Sequence, residues 1–456
     1  MRSPSLWEAR IMDTPGMPPY ARLAEALRQD IATGSIDVGT RLPAHRELAA
    51  ELGLAVGTVT RAYAVLEREG LVRGEHGRGT FVTGDDAGAT DLVDLSVNVS
   101  PPALGAKVLR QALEGLPQTL PADVLSTYPE PAGSPRHRAA MAAWLTRQGV
   151  GASADRVLIT HGAQHAITVA LIAASASGGS VFTEHCTYPG ALHAARQAGQ
   201  RLVPVATDEL GMVAEALDAA LRACGRGGSR TVYVTPTVHN PTGATMDERR
   251  RRDIVQVCRD HDVDIIEDEV YSIFRPDGLT PLAALAPERT WYVNGLSKSL
   301  SPSLRVGVLA VPEAHGARAR AALQTTTHAV SPLMAELVVR WIRDGTAEDA
   351  AMALRAESEE RLGIAAAVLG GYLPFVPSGG FHLWLPMSRQ RAEESERLAA
   401  RAGVLVTPSR EPMTAPGGEE GGIRLCLGGA AESALSLALG RLRVVLEGGS
   451  PHGWAG

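Results

Sequence analysis

The chemistry of this sequence gathers around Lys298, in the run Asn294-Gly295-Leu296-Ser297-Lys298-Ser299-Leu300-Ser301-Pro302-Ser303-Leu304-Arg305-Val306-Gly307. A lysine that follows a strand and precedes a proline-interrupted loop can offer its amine to an aldehyde. Arg305, further along the loop, can offer a guanidinium to a phosphate on the same molecule. Lys107 and Lys298 are the only lysines among 456 residues, so an amine with a removable proton has just two sources. A solvated loop, the ordinary fate of lysine, is the alternative for Lys298.

Other segments add matching groups. Asp268-Glu269-Val270-Tyr271 follows the apolar pair Ile265-Ile266, which puts a carboxylate at a strand end, where parallel-sheet proteins hold ligands. Such an anion keeps a pyridine nitrogen protonated and makes the ring an electron sink; a helix cap is the alternative. Asn240-Pro241-Thr242-Gly243 supplies an amide that, with Tyr271, can hold the ring's phenolic oxygen, although the tetrapeptide is also a good turn. Gly162-Ala163-Gln164 follows the strand candidate Val157 to Thr160 and opens a helix, whose backbone N–H groups can cradle a phosphate.

Together these segments resemble the fold-type I aminotransferases over roughly residues 94–446. The resemblance implies pyridoxal 5'-phosphate as cofactor, with Lys298 forming the internal Schiff base and Asp268 on the pyridine nitrogen. It assigns Asn240 and Tyr271 to the phenolate, and Arg305, Ala163 and Gln164 to the phosphate. It further implies that Tyr188, in Thr187-Tyr188-Pro189-Gly190, stacks on the ring. Arg424, in Ile423-Arg424-Leu425, would grip an amino acid's α-carboxylate. Tyr128, in Thr127-Tyr128-Pro129-Glu130, would reach the neighbouring subunit's phosphate, so that a homodimer completes the site. One position departs from the family: three residues before the lysine a phosphate-binding hydroxyl is usual, and Gly295 stands here. Unless Ser297 or Ser299 compensates, losing one charge-assisted bond costs about 1.5 to 3 kcal/mol.

The amino-terminal stretch carries a different pattern. Leu23, Leu27 and Ile31 lie at helical spacing before Gly34; Leu48, Ala49 and Leu52 follow Pro43 in a second helix; Val59, Ala62, Tyr63 and Leu66 line one face of a third. Leu71-Val72-Arg73 and Gly79-Thr80-Phe81-Val82 then read as two strands around a turn. The segments Leu42-Pro43-Ala44-His45-Arg46-Glu47-Leu48-Ala49, Gly57-Thr58-Val59-Thr60-Arg61-Ala62-Tyr63 and Gly77-Arg78-Gly79-Thr80-Phe81-Val82 resemble the winged helix of GntR-type bacterial transcription regulators. That resemblance brings Arg46, Thr58, Thr60 and Arg61 to phosphates or base edges of double-stranded DNA, and Arg78 and Gly79 to the minor groove. A helix of this kind fits the major groove, and hydroxyl and guanidinium groups suit its acceptors. Residues 20–83 hold eight arginines against eight acidic residues. A single copy therefore has little electrostatic pull on DNA, and a dimer reading two half-sites is implied. A wing kept only for protein contact is the alternative.

The rest of the chain must position these groups. It is 45% apolar with a formal charge of -6, which suits several packed domains and excludes a wholly basic nucleic-acid coat. Cys186, Cys224, Cys258 and Cys426 are too dispersed for a structural zinc site or a redox pair, and no metal is expected. No export signal or bilayer-length apolar run is present, so a cytoplasmic protein without a membrane partner is expected. From Asp94 onward, Val157 to Thr160, Val181 to Thr183, Leu202 to Pro204, Val232 to Thr235, Ile265 to Glu267 and Trp291 to Asn294 alternate with Ala-rich helical patterns. This is the rhythm of a parallel sheet covered by helices.

The expected fold is multidomain: a winged helix-turn-helix at 20–83, a linker at 84–93 and an α/β fold-type I domain at 94–330, which includes the segment 94–130. A smaller α+β domain at 331–446 and a tail at 447–456 complete it. This order resembles the MocR-like subfamily of GntR-type regulators, whose enzyme-like domain senses pyridoxal phosphate or an amino compound. A catalytically active aminotransferase carrying a DNA-binding domain is the alternative, and a scaffold with a vestigial pocket a third.

Overall fold

The computed structural model describes residues 17–448 except 33–34, 37–39, 69–70, 76–78, 83–91, 103, 119, 121–125, 176, 226–227 and 416. Arg78, the segment 84–91 and the end of the tail therefore lie outside the described residues. The chain divides into two compact units, Met1–Asp91 and Leu92–Gly456.

In the first unit, α1 (Pro19–Ala32), α2 (His45–Glu51) and α3 (Val56–Arg68) precede the antiparallel strands β1 (Val72–Glu75) and β2 (Gly79–Val82). The helical spacing has its physical cause here: Leu23, Leu27, Leu48, Val59, Ala62 and Leu66 are all fully buried in one core. Arg41 bridges to Phe81 beside the strands. Gly79 has a φ of 117°, a backbone conformation that strains any side chain, and a Cβ there would also push against Arg41 Nε at 2.7 Å.

The second unit opens with β3 (Val93–Leu95), α4 (Ala106–Glu114) and α5 (Pro135–Arg147). Next come β4 (Val157–Thr160), α6 (Gly162–Ala174), β5 (Ser180–Glu184), α7 (Pro189–Gln197) and β6 (Arg201–Val205). A hairpin of β7 (Thr207–Asp208) and β8 (Gly211–Met212) leads to α8 (Ala214–Cys224), β9 (Arg230–Val234), α9 (Glu248–Asp260) and β10 (Asp264–Asp268). Then follow α10 (Leu282–Leu285), β11 (Thr290–Gly295), β12 (Gly307–Ala310) and α11 (Gly316–Thr326). One seven-stranded sheet runs in the order β4-β12-β11-β10-β9-β5-β6. All pairings within it are parallel except those of β12, which is antiparallel to both β11 and β4. The expectation of a parallel sheet is corrected at this strand: its four residues form a short buried run directly after the lysine loop, with no α-helix between β11 and β12 to signal a crossover.

The long helices α12 (Pro332–Arg343) and α13 (Thr346–Leu369) lead to a smaller lobe. It contains β13 (His382–Ser388), α14 (Arg389–Arg401), β14 (Val404–Val406), β15 (Glu420–Cys426) and α15 (Glu432–Leu446). Here a second correction arises. Residues 94–130 were expected with the larger domain, and Ala112 and Leu116 do pack there against Met141 and Trp144, yet β3 pairs in parallel with β14, and Leu95 is buried in the smaller lobe's core with Leu383, Ile423 and Leu439. The segment's unpaired backbone groups and apolar side chain are satisfied there. No helix of the described residues is long and apolar enough to cross a membrane.

Candidate functional site

The carboxyl ends of β10 and β11, the start of α6 and the smaller lobe meet around a cavity of about 610 Å³. Its lining brings together Ala163, Gln164, Tyr188, Asn240, Asp268, Tyr271, Ser297, Lys298, Arg305 and Arg424, residues spread over 262 positions of sequence (163 to 424, inclusive). Tyr128 stands apart. It is 88% exposed, its ring edge-on to His328 at 4.9 Å, and it does not line this cavity.

Asp268 ends β10 with only 3% of its surface exposed. Its Oδ2 accepts from the Tyr233 hydroxyl at 2.6 Å and its Oδ1 from the Val270 N–H at 3.4 Å. No α-helix begins at Asp268, so the helix-cap alternative does not hold. Burial raises its pKa to about 6, against the lowering effect of the Tyr233 bond. Lys298 is no solvated loop residue either: its Nζ donates to the Asn98 carbonyl, and burial lowers its pKa to about 8. The Tyr271 hydroxyl accepts from Asn98 Nδ2 at 2.9 Å, and burial pushes that phenol up.

At the phosphate-cradle end, α6 starts with Gly162, Ala163 and Gln164. The Gln164 side chain donates to the Gly190 carbonyl at 2.9 Å, which leaves its backbone N–H as the group aimed along the helix axis. Arg305 takes a left-handed conformation (φ 49°) and its guanidinium donates to the His161 carbonyl at 3.4 Å, beside the helix start. The unusual Gly295 now has a cause: a Cβ at 295 would lie 2.9 Å from Ala163 Cβ and 3.3 Å from its nitrogen. The strand presses so close to α6 that a hydroxyl side chain has no room. Ser299 is buried with no hydrogen-bond partner for its hydroxyl among the described residues, whereas Ser297 lines the cavity.

Arg424 is held rigidly on β15. Its Nε donates to Thr407 Oγ1 at 3.0 Å, its Nη1 to Asn240 Oδ1 at 2.8 Å and its Nη2 to the Ser96 carbonyl at 3.2 Å. Several neighbours carried no signal in the sequence. Asn98 lies 173 residues from Tyr271 and belongs to no motif, and Tyr233 sits in an apolar run that reads as core. His382 accepts or donates toward Asn98 at 3.2 Å and is fully buried; burial lowers its pKa to about 3.

On the winged unit, Arg46, Thr60 and Arg61 are exposed and Thr58 is half-buried. The Thr60 hydroxyl donates to the Val56 carbonyl at 3.0 Å and meets His45 Nδ1 at 3.1 Å, while the Arg61 guanidinium lies 4.2 Å over the Tyr20 ring. Both groups are thus positioned by neighbours. His45, also edge-on to Tyr63, is an additional polar group on this face.

Fold and site together define the class: a winged-helix unit joined to a unit of aminotransferase fold. The family model described as "Aminotransferase class I and II" matches residues 90–442, and that of "Bacterial regulatory proteins, gntR family" matches 19–82. The HTH-type transcriptional regulator YdeF of Bacillus subtilis is 30% identical over 413 residues, 88% of each chain. The vitamin B6 salvage pathway transcriptional repressor PtsJ of Salmonella typhimurium is 29% identical over 84% of this chain and 88% of that one. The probable rhizopine catabolism regulatory protein MocR of Rhizobium meliloti is 27% identical over 72% of each. Among solved structures, an archaeal alanine:glyoxylate aminotransferase shares the fold with a TM-score of 0.72 and 23% identity, over 80% of this chain and 92% of its own. The chain therefore belongs to the aminotransferase class I and II family, in the MocR-like branch of gntR-type regulators that carry both units.

Proposed function

We propose that this chain is a DNA-binding transcription regulator of the bacterial cytoplasm that works as a homodimer and responds to pyridoxal phosphate or an amino compound. The residues present fit that cofactor. Asp268 is a buried carboxylate with no basic partner among the described residues, which suits a protonated ring nitrogen. Lys298 would supply an amine of lowered pKa for the aldehyde, and Tyr271 with Asn240 would hold the phenolic oxygen. The start of α6 and Arg305 suit the phosphate, and Tyr188 one face of the ring. Bound there, pyridoxal phosphate would supply an electron-withdrawing ring able to stabilise negative charge on an attached amino compound. Arg424 would hold that compound's carboxylate.

One observation carries the regulatory reading. β3 and the stretch just after it are the first part of the sensor unit that the chain enters after the reader, and that stretch is bonded to the site at three points. Ser96 accepts from Arg424, the Asn98 carbonyl from Lys298, and Tyr271 from the Asn98 amide. Lys298 cannot keep its bond to Asn98 unchanged while its nitrogen engages the cofactor. Occupancy thus alters the anchoring of the segment to which the reader is tethered, the differential interaction that linkage requires. Arg46, Thr58, Thr60, Arg61, Arg78 and Gly79 would meet the DNA. The test is binding of the purified protein to the DNA upstream of its own coding region, with and without pyridoxal phosphate. Cofactor should change affinity or footprint; no sequence-specific complex in either condition overturns the reading.

A second reading, transamination, is favoured by Arg424 and the lowered pKa of Lys298, which could move a proton at the substrate α-carbon. Oxo-acid formation from an amino-acid panel would establish it, and none across the panel would defeat it.

A further inference from the structure

Five charged side chains line the cavity: Asp268, Lys298, Arg305, Glu411 and Arg424. Under the function proposed above, a bound cofactor with an amino acid uses four of them. The ring nitrogen takes Asp268, the aldehyde Lys298, the phosphate Arg305 and the α-carboxylate Arg424. Glu411 is left over, and no ion pair to it is formed among the described residues. Its neighbour Arg410 is held by Glu393 at 2.7 Å. His193 and Arg196, which share a shallow surface cavity with Glu411, form no ion pair with it among the described residues.

The backbone around Glu411 is well fixed, and its exposed side chain stands at the rim of the cavity. Its own N–H donates to the Pro408 carbonyl at 3.0 Å, and the Thr187 N–H donates to the Pro412 carbonyl at 2.7 Å. The Thr414 N–H donates to the His185 carbonyl at 3.0 Å, and its hydroxyl to the Glu184 carbonyl at 2.6 Å. The loop therefore starts at Thr407, the hydroxyl that orients Arg424, and is stapled at its far end to the turn carrying Tyr188. Glu411 lies on the span between the group for the carboxylate and the group for the ring.

We infer that Glu411 selects the amino compound: the ligand is an amino acid whose side chain ends in a cation, an ammonium or guanidinium, with its α-carboxylate on Arg424. A carboxylate at the rim of the cavity favours a cationic partner and disfavours an acidic one, even where solvent screens part of the attraction. The inference rests on the site reading above and adds the ligand class.

The experiment uses the full chain loaded with pyridoxal phosphate, titrated with L-lysine, L-ornithine, L-arginine, L-norleucine and L-glutamate while the cofactor's visible absorbance is followed. The ratio of half-saturating norleucine to half-saturating lysine is the readout, and we expect it to be about two to five. In Glu411→Gln the ratio should fall towards one, and in Glu411→Lys glutamate should become the preferred ligand. Equal response to lysine and norleucine in the parent chain, or a ratio that survives Glu411→Gln, overturns the inference while leaving the sensor reading intact. A loaded protein that responds to none of the five amino acids overturns the inference and the amino-compound reading together.

Discussion

Two buried groups of opposite sign set the pH window of the site. The Lys298 amine, lowered to about 8, is neutral and nucleophilic above that pH rather than above its ordinary ~10.4. Capture of added pyridoxal phosphate should therefore accelerate as pH rises through about 8 and then level off. Asp268, raised to about 6, becomes neutral as pH falls through that value and can no longer balance a charged ring nitrogen. Equilibrium affinity should thus be full above about 6 and fall below it. Tyr233→Phe removes a bond that favours the carboxylate, so an absorbance titration should show the acid limb displaced to higher pH with the alkaline limb unmoved. Gly295→Ser is a sharper test of the close contact with Ala163. If the family's usual hydroxyl were merely missing, serine would tighten cofactor binding. The geometry predicts looser binding, by about 1 to 3 kcal/mol of overpacking cost, read as a cofactor dissociation constant by fluorescence.

Elements with strong periodicity were legible before any coordinates. The faces of α1, α2 and α3 were marked by their apolar spacing, and six of the seven sheet strands by short apolar runs, several of them followed by glycine. What escaped was non-local. The strand β12 is only four residues long, and β3 is a three-residue piece whose partner, β14, lies more than 300 residues further on. The same limit applies to the site. Lys298, Asp268 and Arg424 sit in recognisable local runs, whereas Asn98 and Tyr233 gain their importance from who lies across the cavity. The separate core of the winged unit yields a prediction at this scale. Leu66→Ala should cost about 2 to 5 kcal/mol, a large share of what so small a core supplies. The variant should lose DNA binding in a mobility-shift assay while retaining the cofactor absorbance of the parent.

For the molecule as a whole, the open question is what Tyr128 serves, since it is exposed and outside the cavity of its own chain. If it completes the partner's site, mixing Tyr128→Ala with Lys298→Ala chains should restore one tight, borohydride-trappable site per mixed pair, although each variant alone retains cofactor poorly. Tyr128 acting within its own chain predicts no rescue. The placement of β3 bears on how the two halves can be divorced. Severing the protein near residue 100 would strip β14 of its neighbour, leave a hole where Leu95 sits and delete the carbonyls that steady Arg424 and Lys298. A freestanding sensor must therefore be cut before Leu92, and the apparent leader of that half is one of its walls.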